Sequence, residues 1–183
     1  MVHSSDPGLT AIVVLVHRNV LYILSGMSFA GKSVLGRGIA ERKGVQVIDP
    51  DMVRIEMSLG LGGEFLSAEV WGTIHTEAEA RAKTILEAGH SLVYDTTAFD
   101  KGQRDELRDL ARQSGAEPVV IAVKIERDEA HRRWRRNNET RERFAVHIDD
   151  FNMCAEAFKY PHGEPHLVYE AGQDLDAWIT DNL

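Results

Sequence analysis

The stretch LSGMSFAGKS, residues 24–33, decides the fold of this protein of 183 residues. It places Gly26 and Gly31 five positions apart and follows the second glycine directly with Lys32 and Ser33. This is the pattern G-x-x-x-x-G-K-[ST] of a phosphate-binding loop, or P-loop, whose glycines let backbone N–H groups converge on phosphate oxygens. The alternative is a glycine-rich turn that carries Lys-Ser by chance.

The sequence around this loop has the strand–loop–helix order that a P-loop requires. The apolar run VLYIL at 20–24 predicts a buried strand, and residues 31–42 follow as a predicted helix. The helix start adds partial positive charge, Lys32 supplies a cation for the β- and γ-phosphates, and the Ser33 hydroxyl can coordinate Mg²⁺. The predicted ligands are therefore ATP and Mg²⁺. The predicted nucleotide-binding residues are Gly26, Met27, Ser28, Phe29, Ala30, Gly31, Lys32, Ser33 and Val34.

Composition is that of a soluble globular protein, with 43% apolar and 27% charged residues. The apolar runs are too short to predict a transmembrane helix, and the N-terminus lacks the basic segment of a signal peptide. The single cysteine, Cys154, excludes an intramolecular disulfide and favours a cytoplasmic location. The net charge of −8 disfavours long-range attraction of nucleic acid.

Apolar runs alternate with helical patterns along the chain. Strands are predicted at 20–24, 45–49, 91–95, 118–125 and 166–170, and helices at 31–42, 51–59, 67–88, 102–114, 128–137, 148–159 and 174–183. Ser67 is the expected N-cap of the longest helix, and Gly89 its expected C-cap residue. This order predicts an α/β fold of three layers (α/β/α), with a five-stranded parallel sheet covered on both faces.

No linker divides residues 20–183, so these residues are predicted to form one domain that begins at residue 20. Residues 1–19 are an extension of unknown role. Within them, LTAIVVLV at 9–16 has the composition of a strand, and an edge strand, a dimer contact and an added leader all remain possible. The glycine-rich segment 60–71 is expected, from its position alone, to select the acceptor.

Charged residues follow the second predicted strand, at the edge of the sheet where α/β proteins bind ligands. Asp51 and Arg54 are three apart and share a face of the next helix. Asp51 has the chemistry of a general base in phosphoryl transfer, and Arg54 can hold an anionic acceptor or orient Asp51. The alternative role of Asp51 is to N-cap that helix.

The third predicted strand ends in Asp95, Thr96 and Thr97. An acid at this place is expected to support Mg²⁺ directly or through water, and the two threonine hydroxyls can bind the acceptor or the metal. The alternative is a turn in which these side chains cap loop amides.

The stretch RDEAHRRWRRNNETRER at 127–143 contains seven arginines. A polar, arginine-rich segment near a P-loop predicts a lid over the phosphates, at about 136–147. Arg136 and Arg141 are the predicted functional arginines. The alternative is a solvated helix face paired with nearby acids, and it is assigned to four of the other arginines, namely Arg132, Arg133, Arg135 and Arg143.

Four stretches together resemble the P-loop kinases of the polynucleotide-kinase and zeta-toxin group: GMSFAGKS, DMVR, DTTAFDKGQRDELRDLARQSGA and RRNNETRERFAVHIDDF. The likeness covers about residues 20–160 and implies a nucleoside-kinase-like fold. It implies that Asp51 is the general base, with Arg54 beside it. Thr97 stands where the family pattern has Asn. Counting back from the VHID element places Arg141 on a lid arginine, and Arg136 is one residue out of register.

The resemblance implies ATP-dependent phosphorylation of a hydroxyl, without naming the acceptor. A small-molecule acceptor is favoured, and a polynucleotide 5′-hydroxyl is the alternative. A P-loop NTPase without kinase activity, or an interaction protein that holds nucleotide only for stability, is the second alternative. The DMVR stretch and the lid arginines argue against both, since neither function requires them.

Overall fold

A computed structural model of the protein describes residues 18–60 and 66–183. Its strands are β1 (Val20–Ser25), β2 (Gln46–Ile48), β3 (Leu92–Asp95), β4 (Glu117–Lys124) and β5 (Leu167–Glu170). Its helices are α1 (Lys32–Lys43), α2 (Pro50–Glu56), α3 (Ala68–Glu87), α4 (Lys101–Gln113), α5 (Arg127–Thr140), α6 (Ile148–Ala157) and α7 (Leu175–Asn182). Each predicted strand and helix within the described residues is present, and most boundaries agree within one or two residues.

The five strands form one parallel sheet in the order β2-β3-β1-β4-β5. The strand before the P-loop is therefore central: Leu21 pairs with Leu92 of β3 on one side and with Pro118 of β4 on the other. Helices cover both faces, as crossovers between parallel strands require. The predicted three-layer α/β/α fold with a five-stranded parallel sheet is confirmed.

The side chains of β1 alternate between two apolar cores. Leu21 and Ile23 pack with residues of α3 and α4, whereas Tyr22 and Leu24 pack with residues of α1 and α7. Leu21, Ile23 and Leu24 are fully buried, and each contributes roughly 1.5–3 kcal/mol to folding. Burial on both faces explains why this strand reads as a continuous apolar run.

The two predicted helix caps of α3 are where expected. The Ser67 hydroxyl accepts a hydrogen bond from the Val70 N–H at 3.4 Å, and Gly89 has the positive φ of 83° typical of a residue that follows a helix. Helix α5, by contrast, continues to Thr140, three residues beyond its predicted end. The predicted lid at 136–147 therefore begins inside a helix. Side-chain hydrogen bonds from Asn137 to the residues just beyond the helix offset the poor helix propensity of the Asn-Asn pair.

Two sequence predictions lie wholly or partly outside the described residues: the strand at 9–16 and the acceptor segment at 60–71, of which 61–65 are not described. Asn19 is described and connects the start of β1 to two other elements. Its side-chain amide donates to the Leu86 carbonyl at 2.8 Å, and its own carbonyl accepts from the Glu117 N–H at 2.9 Å. Over residues 18–60 and 66–183, every helix is too short or too polar to span a bilayer.

Candidate active site

The P-loop connects the end of β1 to the start of α1 and passes close to β4. A Cβ atom added at Gly26 would lie 2.8 Å from the Val123 carbonyl oxygen, a distance that real Cβ atoms do not tolerate. Gly31 has a φ of 105°, which L side chains rarely adopt. The backbone thus requires both glycines of the motif. A side chain at Gly26 would collide with β4, and Gly31 has a positive φ that other residues rarely adopt.

The Lys32 ammonium lies inside the curve of the loop. Its Nζ donates to the carbonyl oxygens of Gly26 and Met27, at 3.0 Å each. Ser33 is half-buried in the first turn of α1, and Val34 beside it is exposed. This places the cation, the hydroxyl and the helix N-terminus around one space, as phosphate binding requires.

The tip of the loop contacts the helices that follow β4. Phe29 has a positive φ of 62°, and its ring lies 6.2 Å from that of Phe151 on α6. Phe151 is buried and also packs against Trp134 of α5 at 5.9 Å. Next to this contact, Arg133 Nη1 lies 3.5 Å from the Phe29 carbonyl oxygen. Arg133, interpreted from sequence as a surface residue, is therefore a neighbour of the P-loop.

On α2, the capping role belongs to Asp49 rather than Asp51. The Asp49 carboxylate accepts from the Asp51 N–H at 2.9 Å and is the N-cap of the helix. The alternative role considered for Asp51 is therefore wrong. Arg54 is 4% exposed, and its guanidinium carbon lies 5.7 Å from the centre of the Trp71 ring on α3. Sequence reasoning did not identify Trp71, whose contact with Arg54 joins two helices.

Three carboxylates and one ammonium share this edge of the sheet. Desolvation raises the pKa of Asp51, and the Arg54 guanidinium, then Lys32, act in the opposite direction. Burial, with repulsion from Asp95 and Asp51, raises the pKa of Asp49 to about 6. Burial lowers the pKa of Lys32, while Asp95 opposes that shift. Asp51, Asp95 and Lys32 thus lie within electrostatic reach of one another, at the edge of the sheet where α/β proteins bind ligands.

The segment after β3 is hydrogen-bonded to the start of the P-loop. Asp95 is buried with 7% exposure, and Thr96 and Thr97 are half-buried. The Thr97 carbonyl accepts from the Gly26 N–H at 3.1 Å, and the Ala98 carbonyl accepts from the Ser25 hydroxyl at 3.1 Å. These two bonds set the position of the Asp-Thr-Thr turn relative to the phosphate-binding loop.

A buried ion cluster supports the same turn from behind. Arg104, 1% exposed, donates from Nη1 to the Ala98 carbonyl at 2.9 Å and binds the Glu164 carboxylate at 2.6 and 3.0 Å. Arg108 binds the same carboxylate at 2.9 Å. These hydrogen bonds, those of Arg104 first, lower the pKa of Glu164 to about 2. The cluster was not predicted; its one local signal is the spacing of Arg104 and Arg108 on a single face of α4.

The arginines of the predicted lid differ in their surroundings. Arg136 and Arg141 are exposed, and neither forms an ion pair with another described residue. Arg132 is exposed and pairs with Glu129, which agrees with a solvated surface. Arg143 is also exposed, which agrees with its assignment to the surface. Arg133 pairs with Glu129 at 2.9 Å, as a solvated helix face predicts, and in addition lies beside the P-loop.

The residues present suit Mg²⁺. Magnesium in kinases is held by one or two protein oxygens together with phosphates and water, so it needs no dense cage of protein ligands. Ser33 and Asp95 supply a hydroxyl and a carboxylate close to Lys32. Within residues 18–60 and 66–183 there is no group of three or more His, Cys, Asp or Glu side chains arranged to hold a metal. A metal bound here would therefore depend on the nucleotide for most of its ligands.

Solved structures similar to this one show its fold. The chain has the fold of the P-loop kinases. A kinase candidate from Chloroflexus aurantiacus matches with a TM-score of 0.73 and 20% identity, over 90% of this chain and 96% of that one. The APS kinase of Mycobacterium tuberculosis, solved in complex with AMPPNP and APS, matches with a TM-score of 0.67 and 15% identity, over 90% and 95% of the two chains. At these identities the likeness establishes the fold.

The family follows from the sequence. A family model described as an AAA domain matches residues 21–161, and the chain belongs to this family. An uncharacterised protein of Mycobacterium tuberculosis (strain H37Rv) is 35% identical over 108 residues, which cover 53% of this chain. The match covers 22% of that protein, so the chain spans about a fifth of the length of the curated relatives it matches. Together these findings confirm the resemblance to P-loop kinases.

Proposed function

We propose that the protein is an ATP-dependent kinase that transfers the γ-phosphate of ATP to a hydroxyl of a small molecule. The observation that carries this proposal is the position of Asp51. Its carboxylate is not used as a helix cap, and it lies within electrostatic reach of the P-loop Lys32. An NTPase that only hydrolyses or holds nucleotide does not need this carboxylate, whereas a kinase needs a base opposite the γ-phosphate.

In the proposed complex, the backbone of Gly26 to Ser33 surrounds the phosphates of ATP, and Lys32 neutralises the β- and γ-phosphates. Ser33 and Asp95 would hold Mg²⁺, whose positive charge stabilises the charge that develops on the transferred group. Arg136 and Arg141 approach the γ-phosphate when the lid closes over the nucleotide. Their exposed, unpaired side chains among the described residues support this role, since no ion pair must break first.

The transfer itself balances without a further reactant. The acceptor hydroxyl gives its proton to the Asp51 carboxylate while its oxygen forms a bond to the γ-phosphorus. The bond between that phosphorus and the β–γ bridging oxygen breaks, and ADP leaves with the electron pair. Arg54 orients Asp51 from a buried position against Trp71, while Thr96 and Thr97 offer hydroxyls to the acceptor. The 4% exposure of Arg54 favours this orienting role over direct capture of an anionic acceptor.

The charge of the site supports a small, uncharged acceptor over a polynucleotide end. Asp49, Asp51 and Asp95 lie close enough for their repulsion to help raise the pKa of Asp49 to about 6. A polyanionic acceptor has to approach these carboxylates, with a net charge of −8 on the whole protein. The polynucleotide 5′-hydroxyl remains the alternative acceptor, because the arginines of α5 can supply a few phosphate contacts.

The proposal is tested with γ-labelled ATP and Mg²⁺ against two sets of acceptors: 5′-hydroxyl oligonucleotides, and sugars and hydroxylated antibiotics. Asp51→Asn, which keeps the size of the side chain, is the control. Label on a small molecule, lost in Asp51→Asn while ATP still binds, is the expected result. Label on the oligonucleotide would instead establish the alternative acceptor. Release of phosphate at the same rate in both proteins, with no labelled acceptor, would refute the kinase.

A further inference from the structure

The tip of the P-loop is a tight turn. The Ala30 N–H donates to the Met27 carbonyl at 3.2 Å, which closes a turn over Ser28 and Phe29. Phe29, the third residue of this turn, has a φ of 62°. A positive φ at that position favours glycine, because a Cβ atom there comes too close to the following carbonyl oxygen. The turn therefore has a conformation that its own third residue disfavours.

The Phe29 side chain packs into an aromatic cluster, formed by Phe29, His131, Trp134 and Phe151, that is separate from the two apolar cores of the sheet. The Phe29 ring lies 6.2 Å from the ring of Phe151, which is 2% exposed. The rings of His131 and Trp134 on α5 lie 5.7 and 5.9 Å from that of Phe151. Neither apolar core contains Phe151. A large apolar side chain of α6 is thus buried against α5 and the tip of the P-loop.

Two contacts restrain Phe29 in its unfavourable conformation. A residue keeps such a φ only where its surroundings require it. One contact is the Phe151 ring, and the other is Arg133, whose Nη1 lies 3.5 Å from the Phe29 carbonyl oxygen. The Arg133 side chain is 37% exposed, whereas Phe151 is buried. The ring contact is therefore the firmer of the two.

The same turn sets the geometry of phosphate binding. A P-loop binds phosphate through backbone N–H groups that point into one space, so the φ and ψ angles of each loop residue matter. The Met27 carbonyl, which closes the turn, also accepts from Lys32 Nζ at 3.0 Å. A change of φ at Phe29 would open the turn, redirect the loop N–H groups and remove one of the bonds that hold the ammonium.

We infer that Phe151 is a positioning residue of the nucleotide site, whose ring holds Phe29 in the positive-φ conformation in which the P-loop binds phosphate. This inference rests on the nucleotide site of the proposed function but not on the identity of the acceptor. It explains why phenylalanine occupies a turn position that favours glycine, since the ring supplies the anchor that stabilises the turn. It also explains the burial of Phe151 away from the sheet.

The first test compares alanine with glycine at position 29. The readout is the dissociation constant of Mg²⁺ with a non-hydrolysable ATP analogue, measured by calorimetry. Phe29→Ala removes the ring and keeps the unfavourable φ, so binding should weaken about tenfold as the loop leaves its binding conformation. Phe29→Gly also removes the ring but adopts this φ without steric cost, so the loss should not exceed about threefold.

The second test is a double-mutant cycle. Phe151→Leu, which keeps an apolar side chain, should weaken binding about fivefold in the native background, as the loss of an aromatic pair does. In the Phe29→Gly background the same change should weaken binding less than about twofold, because glycine needs no ring to hold its φ. Phe151→Leu should also speed hydrogen exchange of the Ala30 amide, which closes the turn.

Two control variants separate the anchor from packing in general. Ile179→Val removes a methyl group from a buried residue of α7, and Met153→Ala truncates an exposed residue of α6. Both are expected to leave binding unchanged. Equal losses in Phe29→Ala and Phe29→Gly, or equal effects of Phe151→Leu in both backgrounds, would overturn the inference. Failure of the native protein to bind the analogue would refute the proposed nucleotide site, and this inference with it.

Discussion

Gly26 shows how one residue joins the fold to the site. It is the first glycine of the phosphate-binding pattern, and it is also the point where the P-loop passes the backbone of β4. The N–H of Gly26 also bonds to the Thr97 carbonyl after β3. The first glycine of the P-loop pattern is therefore also required for packing against β4.

Gly26→Ala is expected to destabilise the protein. The added methyl group would lie 2.8 Å from the Val123 carbonyl oxygen, and a backbone atom cannot move aside as a flexible side chain can. We expect a loss of about 1–3 kcal/mol in the free energy of unfolding, measured with urea, and a weaker affinity for ATP. Gly72→Ala is the control: nothing lies within 4 Å of its Cβ position, and alanine is the better helix former within α3. A native-like Gly26→Ala protein would contradict the close approach.

Asp51 is expected to set the acid side of the pH dependence of phosphate transfer. A general base acts only when ionised, so activity should be present above its pKa and lost as the pH falls through it. Desolvation raises that pKa, so the loss should occur above the ordinary carboxyl value of about 4. The measurement is kcat/KM for the acceptor between pH 4 and 8, and a flat profile down to pH 4 would argue against Asp51 as the base.

Arg54 gives this profile a second test. Its positive charge favours the ionised form of Asp51 and so lowers the Asp51 pKa. Arg54→Gln should therefore move the acid limb of the profile to higher pH, whereas Arg54→Lys, which keeps the charge, should leave it closer to the native position. Circular dichroism of both variants checks that the buried substitution has not unfolded α2. An unchanged limb in folded Arg54→Gln would show that the two groups are not coupled.

At the scale of elements, the position of the Asp-Thr-Thr turn depends on α4 and on the segment after α6. Arg104 of α4 bonds the Ala98 carbonyl at 2.9 Å, and Glu164 binds Arg104 and Arg108 together. The Lys159 N–H adds a bond to the Phe99 carbonyl at 2.6 Å. Elements that contain none of the proposed catalytic residues therefore hold the turn that contains Asp95.

Glu164→Gln is expected to lower the free energy of unfolding by about 3 kcal/mol at pH 7, because it leaves the buried Arg104 guanidinium without a counter-charge, whereas Arg108 keeps its ion pair with Asp105. The folded pKa of Glu164, about 2, is below its ordinary value, so its contribution is complete above about pH 5 and lost as the pH falls towards 2. The difference between the two proteins, measured by urea unfolding, should shrink over that interval. A difference that does not change with pH would contradict an ionic origin.

Glu170→Gln is the matched control for this prediction. Glu170 pairs with Lys124 at 3.2 Å, but both side chains are more than half exposed. An exposed ion pair contributes little, so we expect a loss below about 1 kcal/mol.

At the scale of the whole molecule, the strand order brings distant segments to one edge of the sheet. Because β1 lies between β3 and β4, the P-loop adjoins both the Asp-Thr-Thr turn and the helices that follow β4. Three parts of the chain that are far apart in sequence thus meet at the proposed phosphate site. Binding of a nucleotide there connects elements from both sides of the sheet and should stabilise the whole domain.

ATP with Mg²⁺ is expected to raise the melting temperature. At a concentration about 100 times the dissociation constant, ligand binding adds about 2.7 kcal/mol, which corresponds to roughly 5–10 °C for a domain of this size. Lys32→Ala should abolish most of this shift in a thermal denaturation assay. Lys43→Ala, at the other end of α1, should retain it, since Lys43 is exposed and, among the described residues, donates to the Leu183 carbonyl at 2.6 Å. An equal shift in both variants would place the nucleotide elsewhere.

Much of the fold was predictable because its signals are local. The P-loop spans eight residues, and each strand was visible as an apolar run of a few residues. The helix caps at Ser67 and Gly89 were likewise short patterns. One boundary failed where side-chain hydrogen bonds overrode the backbone preference, in α5, where Asn137 is bonded to Arg143 and Phe144 just beyond the helix. The alternative role of Asp51 as the N-cap of α2 was also wrong, because Asp49 caps that helix. Both residues fit the sequence pattern of an N-cap.

The sequence by itself determined the phosphate-binding loop and the set of charged residues that follow the strands. It also determined the alternation of strands and helices that requires a parallel sheet. Only the tertiary structure decided that β1 is flanked by β3 and β4, that Arg133 approaches the P-loop, and that Glu164 supports a turn through Arg104, 60 residues away. The physical reason is that backbone preferences and burial patterns depend on residues a few positions apart, whereas side-chain partners depend on which elements pack together.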